Sequence, residues 1–331
     1  MVAARLFFIS ITMLALFGGR AFASKDPNYD SEHCRARLDR MVCIVEPVSD
    51  VFRHTNVLDR KCLNGGERHG SIFKDIFSSY PKALQAAMCR LNRIFVEKSF
   101  WASGYAHIKA NSIGIQQDAL DKRSSLSDWA TWKEQRAYSH STTNDEPNKQ
   151  LPTVSAHLPL SLRGAAHFIV THELAHLIDK ATGASERGPG SFAALSWTGH
   201  DGALEPRTLP RDWKPPCFYL CRIPKYATAK PSSAYAALER SSFVSLYATR
   251  SPAEDFAETL TFYVMSRLPE FQYVIRADGL VIDIKQKLAA EIMRPKILYM
   301  QNLLRRLSKG DSVASVPHLT KDSRVSASQS Y

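Results

Sequence analysis

The sequence predicts an α+β fold, and three features carry that prediction. Two segments, near 162–181 and 253–267, place apolar residues at helical spacing between recognisable start and stop signals. Between residues 105 and 116, Tyr105, Ile108, Ile113 and Ile115 are separated by small or turn residues, as in one or two strands. Four cysteines, Cys34, Cys43, Cys62 and Cys89, crowd into the first hundred residues, so a mostly helical, disulfide-tied N-terminal region is expected there.

The chain begins Met-Val-Ala-Ala-Arg, runs through an apolar segment from Leu6 to Gly19, and reaches Ala21-Phe22-Ala23. A basic start, an apolar centre and small residues at the end describe a secretory signal peptide cleaved after Ala23. The apolar segment is shorter than the roughly 20 residues that span a bilayer, which argues against an uncleaved anchor. No later segment is long and apolar enough to cross a membrane. A secreted or periplasmic protein with no transmembrane anchor after processing is expected.

All six cysteines follow this leader. An even number in an exported chain reads as disulfides. The first four are expected to pair among themselves, in any of three connectivities, and Cys217 with Cys221. A cysteine-based zinc site is the competing reading, and the absence of paired C-x-x-C spacing weighs against it. The formal charge of +11 falls to about +9 once the two arginines of the leader are removed. Such a balance favours anionic partners, for instance a cell-envelope surface. A denser basic run, Lys285, Lys287, Arg294, Lys296, Arg305, Arg306 and Lys309, reads most simply as a solvated face. No nucleic-acid-binding motif is present, so no specific nucleic-acid partner is expected.

The remaining elements follow in order. Ser79-Tyr80-Pro81 opens a helical segment through Ala83, Leu84, Ala87, Met88, Leu91 and Ile94. The stretch 118–158 is polar, with Trp129, Trp132 and Tyr138, and its middle, His140 to Gln150, reads as loop. A long apolar helix from about Leu162 to Ala181 ends at Gly183, a residue suited to a C-terminal cap. Residues 184–234 form a Gly-, Pro- and Ser-rich excursion, of a length usually tied to function. Its Phe192, Trp197 and His200 are candidates to line a cleft. Ser251 and Pro252 suit the cap and first position of the next helix. A last helix, about Ile282 to Leu307, is expected to be interrupted or kinked at Pro295. The organisation expected is therefore a leader (1–23), a helical disulfide-tied region (24–100), a catalytic domain (101–308) and a disordered Ser-rich tail (309–331).

The chemistry lies in His172-Glu173-Leu174-Ala175-His176, an H-E-x-x-H pattern on the predicted long helix. Two histidines four residues apart share a helical face and can reach one zinc ion. Glu173 beside them can take a proton from water activated by that ion. The bland alternative, a helix with two buried histidines and a stray glutamate, leaves polar groups without partners on an apolar helix. A third ligand must come from elsewhere. The G-x-x-H continuation found in metzincins is absent, because those positions hold Asp179 and Thr182. Glu254 and Glu258 share a face of the second helix, so one carboxylate can bind zinc while the other orients a ligand imidazole. Asp255 points away from that face, and Asp179 would have to crowd an occupied side of the ion.

These residues resemble two blocks of the Glu-ligand zincins, the gluzincins, and are most similar to the lethal-factor-like branch. The first block is H-E-x-x-H-x-x-D, His172 to Asp179. The second is Tyr247 seven residues before Glu254-Asp255-Phe256-Ala257-Glu258. The resemblance implies a zincin-like metallopeptidase domain binding one zinc ion through His172, His176 and Glu254. It implies Glu173 as general base, Glu258 orienting His172, and Tyr247 facing the substrate carbonyl oxygen. Asp179 is expected to be structural or to support the ligands from behind. The implied activity is hydrolysis of a protein or peptide substrate. The competing class is a non-catalytic exported binding domain with a structural zinc site, which would be closed by four protein ligands.

Overall fold

The computed structural model describes residues 31–46, 57–63, 67–98, 100, 102–120, 125–138, 151–159, 162–186, 188–200, 203–210, 213, 218 and 231–309. The expected leader, the His140–Gln150 loop, Cys217, Cys221 and the tail beyond residue 309 lie outside them.

In chain order, α1 (Ser31–Met41), β1 (Val42–Val45), α2 (Glu67–Ser79), α3 (Lys82–Cys89) and β2 (Ile94–Glu97) come first. Next are β3 (Gly104–His107), β4 (Ser112–Gln116), α4 (Leu126–Arg136), β5 (Thr153–His157) and α5 (Gly164–Thr182). Then follow β6 (Trp197–His200), β7 (Ala203–Pro206), α6 (Pro231–Glu239) and α7 (Pro252–Met265). The order closes with β8 (Gln272–Ala277), β9 (Leu280–Asp283), α8 (Ile284–Ala289) and α9 (Arg294–Ser308). This is a mixed α+β fold. No helix of the described residues is long and apolar enough to cross a membrane.

The main sheet has the order β1-β2-β4-β3, with β1, β2 and β4 parallel and β3 antiparallel at one edge. Every residue of β1 and β2 is buried, as expected of short apolar runs in a covered parallel sheet. The boundary expected at residue 100 falls between β2 and β3 of this one sheet. Glu97, buried at the end of β2, is neutralised by Arg60 at 2.5 and 2.8 Å and accepts the Tyr105 hydroxyl at 2.6 Å. Two disulfides tie the N-terminal region. Cys34–Cys89 joins α1 to α3, and Cys43–Cys62 joins β1 to the segment after the short helical turn at Val57–Asp59. The first four cysteines thus do pair among themselves.

Helices α5 and α7 pack together at the seam between two hydrophobic cores. Ile169, Val170, Leu174 and Ile178 of α5 join Phe256 and Leu260 of α7 in the core beneath the main sheet and α1–α3. Phe168 and Phe262 face the other core, formed with α4, α6 and the antiparallel sheet β5-β8-β9. Burial on both sides explains why α5 is apolar almost all round. It ends as expected, with Gly183 at φ 64° and its N–H bonded to the Asp179 carbonyl at 2.7 Å.

The structure corrects two expectations. The last helix is interrupted, as expected, but ahead of Pro295 and without a kink: Pro295 lies in the first turn of α9, where a missing N–H costs nothing, and β9 and α8 occupy the stretch from Leu280 to Ala289. The polar stretch 118–158 contains α4 and β5, on either side of the segment expected as loop. The basic run is not one solvated face. Lys287 is buried and donates to the carbonyls of Leu238, Glu239 and Ser241, and Lys296 is buried against Asp255, both oxygens at 2.6 Å. Each found enough acceptors to offset desolvation, which a charge count cannot show.

Candidate metal centre

His172 and His176 project from one face of α5, one turn apart, with ring centroids 4.8 Å from each other. Glu254 comes from the first turn of α7. That turn is fixed by Ser251, whose Oγ accepts the Glu254 N–H at 3.2 Å, and by Pro252. A glutamate three positions after a serine cap commonly folds back onto the cap. Here its carboxylate turns to the histidines.

Three donor atoms form a compact triangle. His172 Nε2 lies 3.1 Å from His176 Nε2 and 3.2 Å from Glu254 Oε2, and His176 Nε2 lies 3.4 Å from Glu254 Oε2. For an ion with ligands at about 2.0–2.1 Å in tetrahedral arrangement, neighbouring ligand atoms stand about 3.3–3.4 Å apart, so the triangle has the right size. Its chemistry points the same way. Glu258 Oε1 lies 3.0 Å from His172 Nδ1, an ion-pair contact without hydrogen-bond alignment, which favours the ring proton of a neutral His172 on that nitrogen. The Nε2 lone pair then faces His176 Nε2 and Glu254 Oε2, and a cation shared among the three donors satisfies them all. With a proton as that cation, burial disfavours charge on His172, but Glu254 and Glu258 overcome it and push the pKa up to about 10. Burial would raise Glu254, yet the two histidines hold it well below the usual carboxylate range. The group His172, His176 and Glu254 can therefore coordinate a metal ion.

The triangle opens on a cavity of about 500 Å³. Glu173 lines it from α5, where burial first, and then Glu254 and Glu258, raise its pKa against the pull of His172 and His176. Tyr247 and Arg250 reach the cavity from the helical turn Tyr247–Arg250 that precedes α7. The Tyr247 hydroxyl donates to Glu254 Oε1 at 3.1 Å, and Arg250 donates to that hydroxyl at 3.3 Å. Opposite them runs β3. A Cβ at Gly104 would lie 2.6 Å from Ile169 Cγ2, 2.9 Å from the Gly114 carbonyl oxygen and 3.0 Å from Glu173 Oε1, so only glycine lets the strand approach α5 this closely.

Glu258 is fully buried behind His172. Its Oε2 takes Lys133 Nζ at 2.6 Å and the Ser245 hydroxyl at 2.6 Å. Burial would raise its pKa, but Lys133 and His172 bring it down to about 2. Asp179 binds the backbone N–H and hydroxyl of Ser185, each at 2.7 Å, and so secures the turn after α5 beside the cavity. Asp255 faces away from the triangle and pairs with Lys296 and, at 3.0 Å, Trp197 Nε1. Phe192 and Trp197, candidates for a cleft lining, instead pack inward, against Phe256 and Phe243.

Lys133, Ser245, Arg250 and Trp129 are cavity or support residues that the sequence did not mark. No periodic or spacing signal links α4 to the H-E-x-x-H helix. Comparison with protein-family models, with characterised proteins and with solved structures finds no match to this chain, and the metal-coordinating group stands on its own geometry.

Proposed function

We propose that this chain is a zinc-dependent peptidase of the Glu-ligand zincin type, cleaving a protein or peptide outside the cell or in the cell envelope. The observation that carries the reading is the His172–His176–Glu254 triangle opening, with Glu173 beside it, on a peptide-sized cavity. These three residues would hold one zinc ion per chain. When bound, zinc supplies Lewis-acid polarisation of a carbonyl and lowers the pKa of a water to near neutrality.

Glu173, raised above the ordinary carboxylate range, suits a base that accepts the proton of the attacking water. It then delivers the proton to the leaving amine nitrogen as the C–N bond breaks. The Tyr247 hydroxyl, at the cavity wall, can turn from Glu254 to the oxyanion that develops on the carbonyl. Strand β3 is the outer strand of its sheet and borders the cavity, so an extended substrate laid along it would be held by main-chain hydrogen bonds. The leader-like composition of residues 1–23 and the two disulfides are what support the reading of export, and the basic balance supports an anionic envelope surface as a partner.

The test is digestion of an unbiased peptide library by zinc-loaded protein beside Glu173→Gln. The variant is expected to keep zinc and lose cleavage, since the amide keeps the shape and removes the basicity. Equal cleavage by both would refute the peptidase. Zinc without any cleavage would favour a structural zinc site in a binding domain.

A further inference from the structure

We propose that Lys133 is a positioning residue of the metal centre, holding Glu258 so that His172 presents Nε2 to the ion. This rests on the reading of His172, His176 and Glu254 as metal ligands.

Helix α4 carries Lys133 into the interior, where the residue is 5% exposed. A lysine normally keeps its ammonium in water, so its burial needs a specific partner. That partner is Glu258, 125 residues later, with Nζ 2.6 Å from Oε2. The carboxylate neighbouring it in the chain is not the partner. Glu134 turns away, accepting the hydroxyls of Tyr235 at 2.7 Å and Tyr273 at 3.4 Å.

The ammonium sits among aromatic rings. Their centroids lie 4.8 Å (Phe168), 5.2 Å (Tyr247), 5.7 Å (Trp129) and 5.9 Å (Phe262) from Nζ. Ring faces attract a cation without offering it a competing oxygen. The lysine is therefore committed to Glu258. Ser245 binds the same carboxylate oxygen at 2.6 Å. With Oε2 held twice, Oε1 is left facing His172 Nδ1 at 3.0 Å, an ion-pair contact. Support of this kind, behind a ligand histidine, fixes the tautomer and the direction of the ring. One wall of the aromatic pocket is the Tyr247 ring, so the same ammonium also steadies the residue facing the cavity.

A lysine that merely neutralises a buried charge would affect stability alone. A positioning lysine also alters the ion's surroundings. The experiment uses the full chain as wild type, Lys133→Met, Lys133→Arg and His176→Ala. Zinc affinity is measured against a chromophoric chelator, the visible spectrum is recorded with cobalt in place of zinc, and metal-free forms are melted by circular dichroism. We expect Lys133→Met to bind zinc about 10–100-fold more weakly, with a shifted cobalt spectrum. Lys133→Arg keeps the charge but displaces it, and should be intermediate in both. Wild-type affinity and spectra in both lysine variants, with metal lost in His176→Ala, would overturn the role of Lys133 and leave the metal centre standing. Equal metal uptake by wild type and His176→Ala would overturn the centre and this proposal together. Should Lys133→Met fail to melt cooperatively, an unshifted spectrum in Lys133→Arg would refute the proposal.

Discussion

Glu254 Oε2 lies 3.2 Å from His172 Nε2, although 82 residues separate the two in the chain. The contact joins the first turn of α7 to the middle of α5, and the packing of those helices on two cores makes it possible. The contact holds a carboxylate oxygen and an imidazole nitrogen where a proton or a metal ion can be shared between them.

Metal content should follow from that geometry. His176→Ala and Glu254→Gln are expected to lower bound zinc from about one per chain to near zero, because a methyl group and a neutral amide are poor replacements for the ligands. Elemental analysis after dialysis measures it. Undiminished zinc in both variants would exclude this centre.

Tyr247 should act on turnover and not on metal. Tyr247→Phe removes the hydroxyl that now donates to Glu254 at 3.1 Å and keeps the ring packed against Phe218 and Lys133. Zinc stoichiometry should be unchanged while kcat falls about 10²–10³-fold, the usual loss for one oxyanion donor. Wild-type kcat would return Tyr247 to a packing role.

Gly104 should tolerate no side chain. Gly104→Ala presses a methyl against Ile169, the Gly114 carbonyl and Glu173. A cost of about 1–3 kcal/mol in urea denaturation is expected, with β3 pushed off α5. Gly188→Ala, whose added carbon would meet nothing within 4 Å, is the control and should stay within about 0.5 kcal/mol of wild type. Equal stabilities in the two variants would contradict the close approach of β3.

Acid sensitivity should trace in part to His167. Burial holds its pKa down at about 3, with Ser79 Oγ 3.2 Å from Nε2 and the Tyr80 ring edge-on at 5.3 Å. The unfolded histidine titrates near 6.5, so below that pH the unfolded chain binds the extra proton and the folded chain does not. The contribution to stability is therefore full above about pH 6.5, declines by about 1.4 kcal/mol per pH unit as pH falls, and is exhausted near pH 3. His167→Gln should flatten this part of the profile. Parallel curves for variant and wild type from pH 6.5 to 4 would disprove the assignment.

Much of the site was legible because it is local. His172, Glu173 and His176 depend only on the helical period, and Glu254 and Glu258 on a second helix whose Ser251-Pro252 start is equally local. The cap at Gly183 and the strands β3 and β4 were readable for the same reason. Other features were decided by tertiary packing. Cysteine count implied pairing, but only the placement of α1 beside α3 selects Cys34 with Cys89 over the other connectivities. Lys133 and Lys296 look like surface lysines in any window of sequence. They are buried because Glu258 and Asp255, 125 and 41 residues away, meet them in the interior. The order of residues determined which groups could bind a metal, since ligand type and helical spacing are properties of short segments. The fold alone decided which charges support them, since burying a charge requires a partner and distant partners are brought together only when the elements pack.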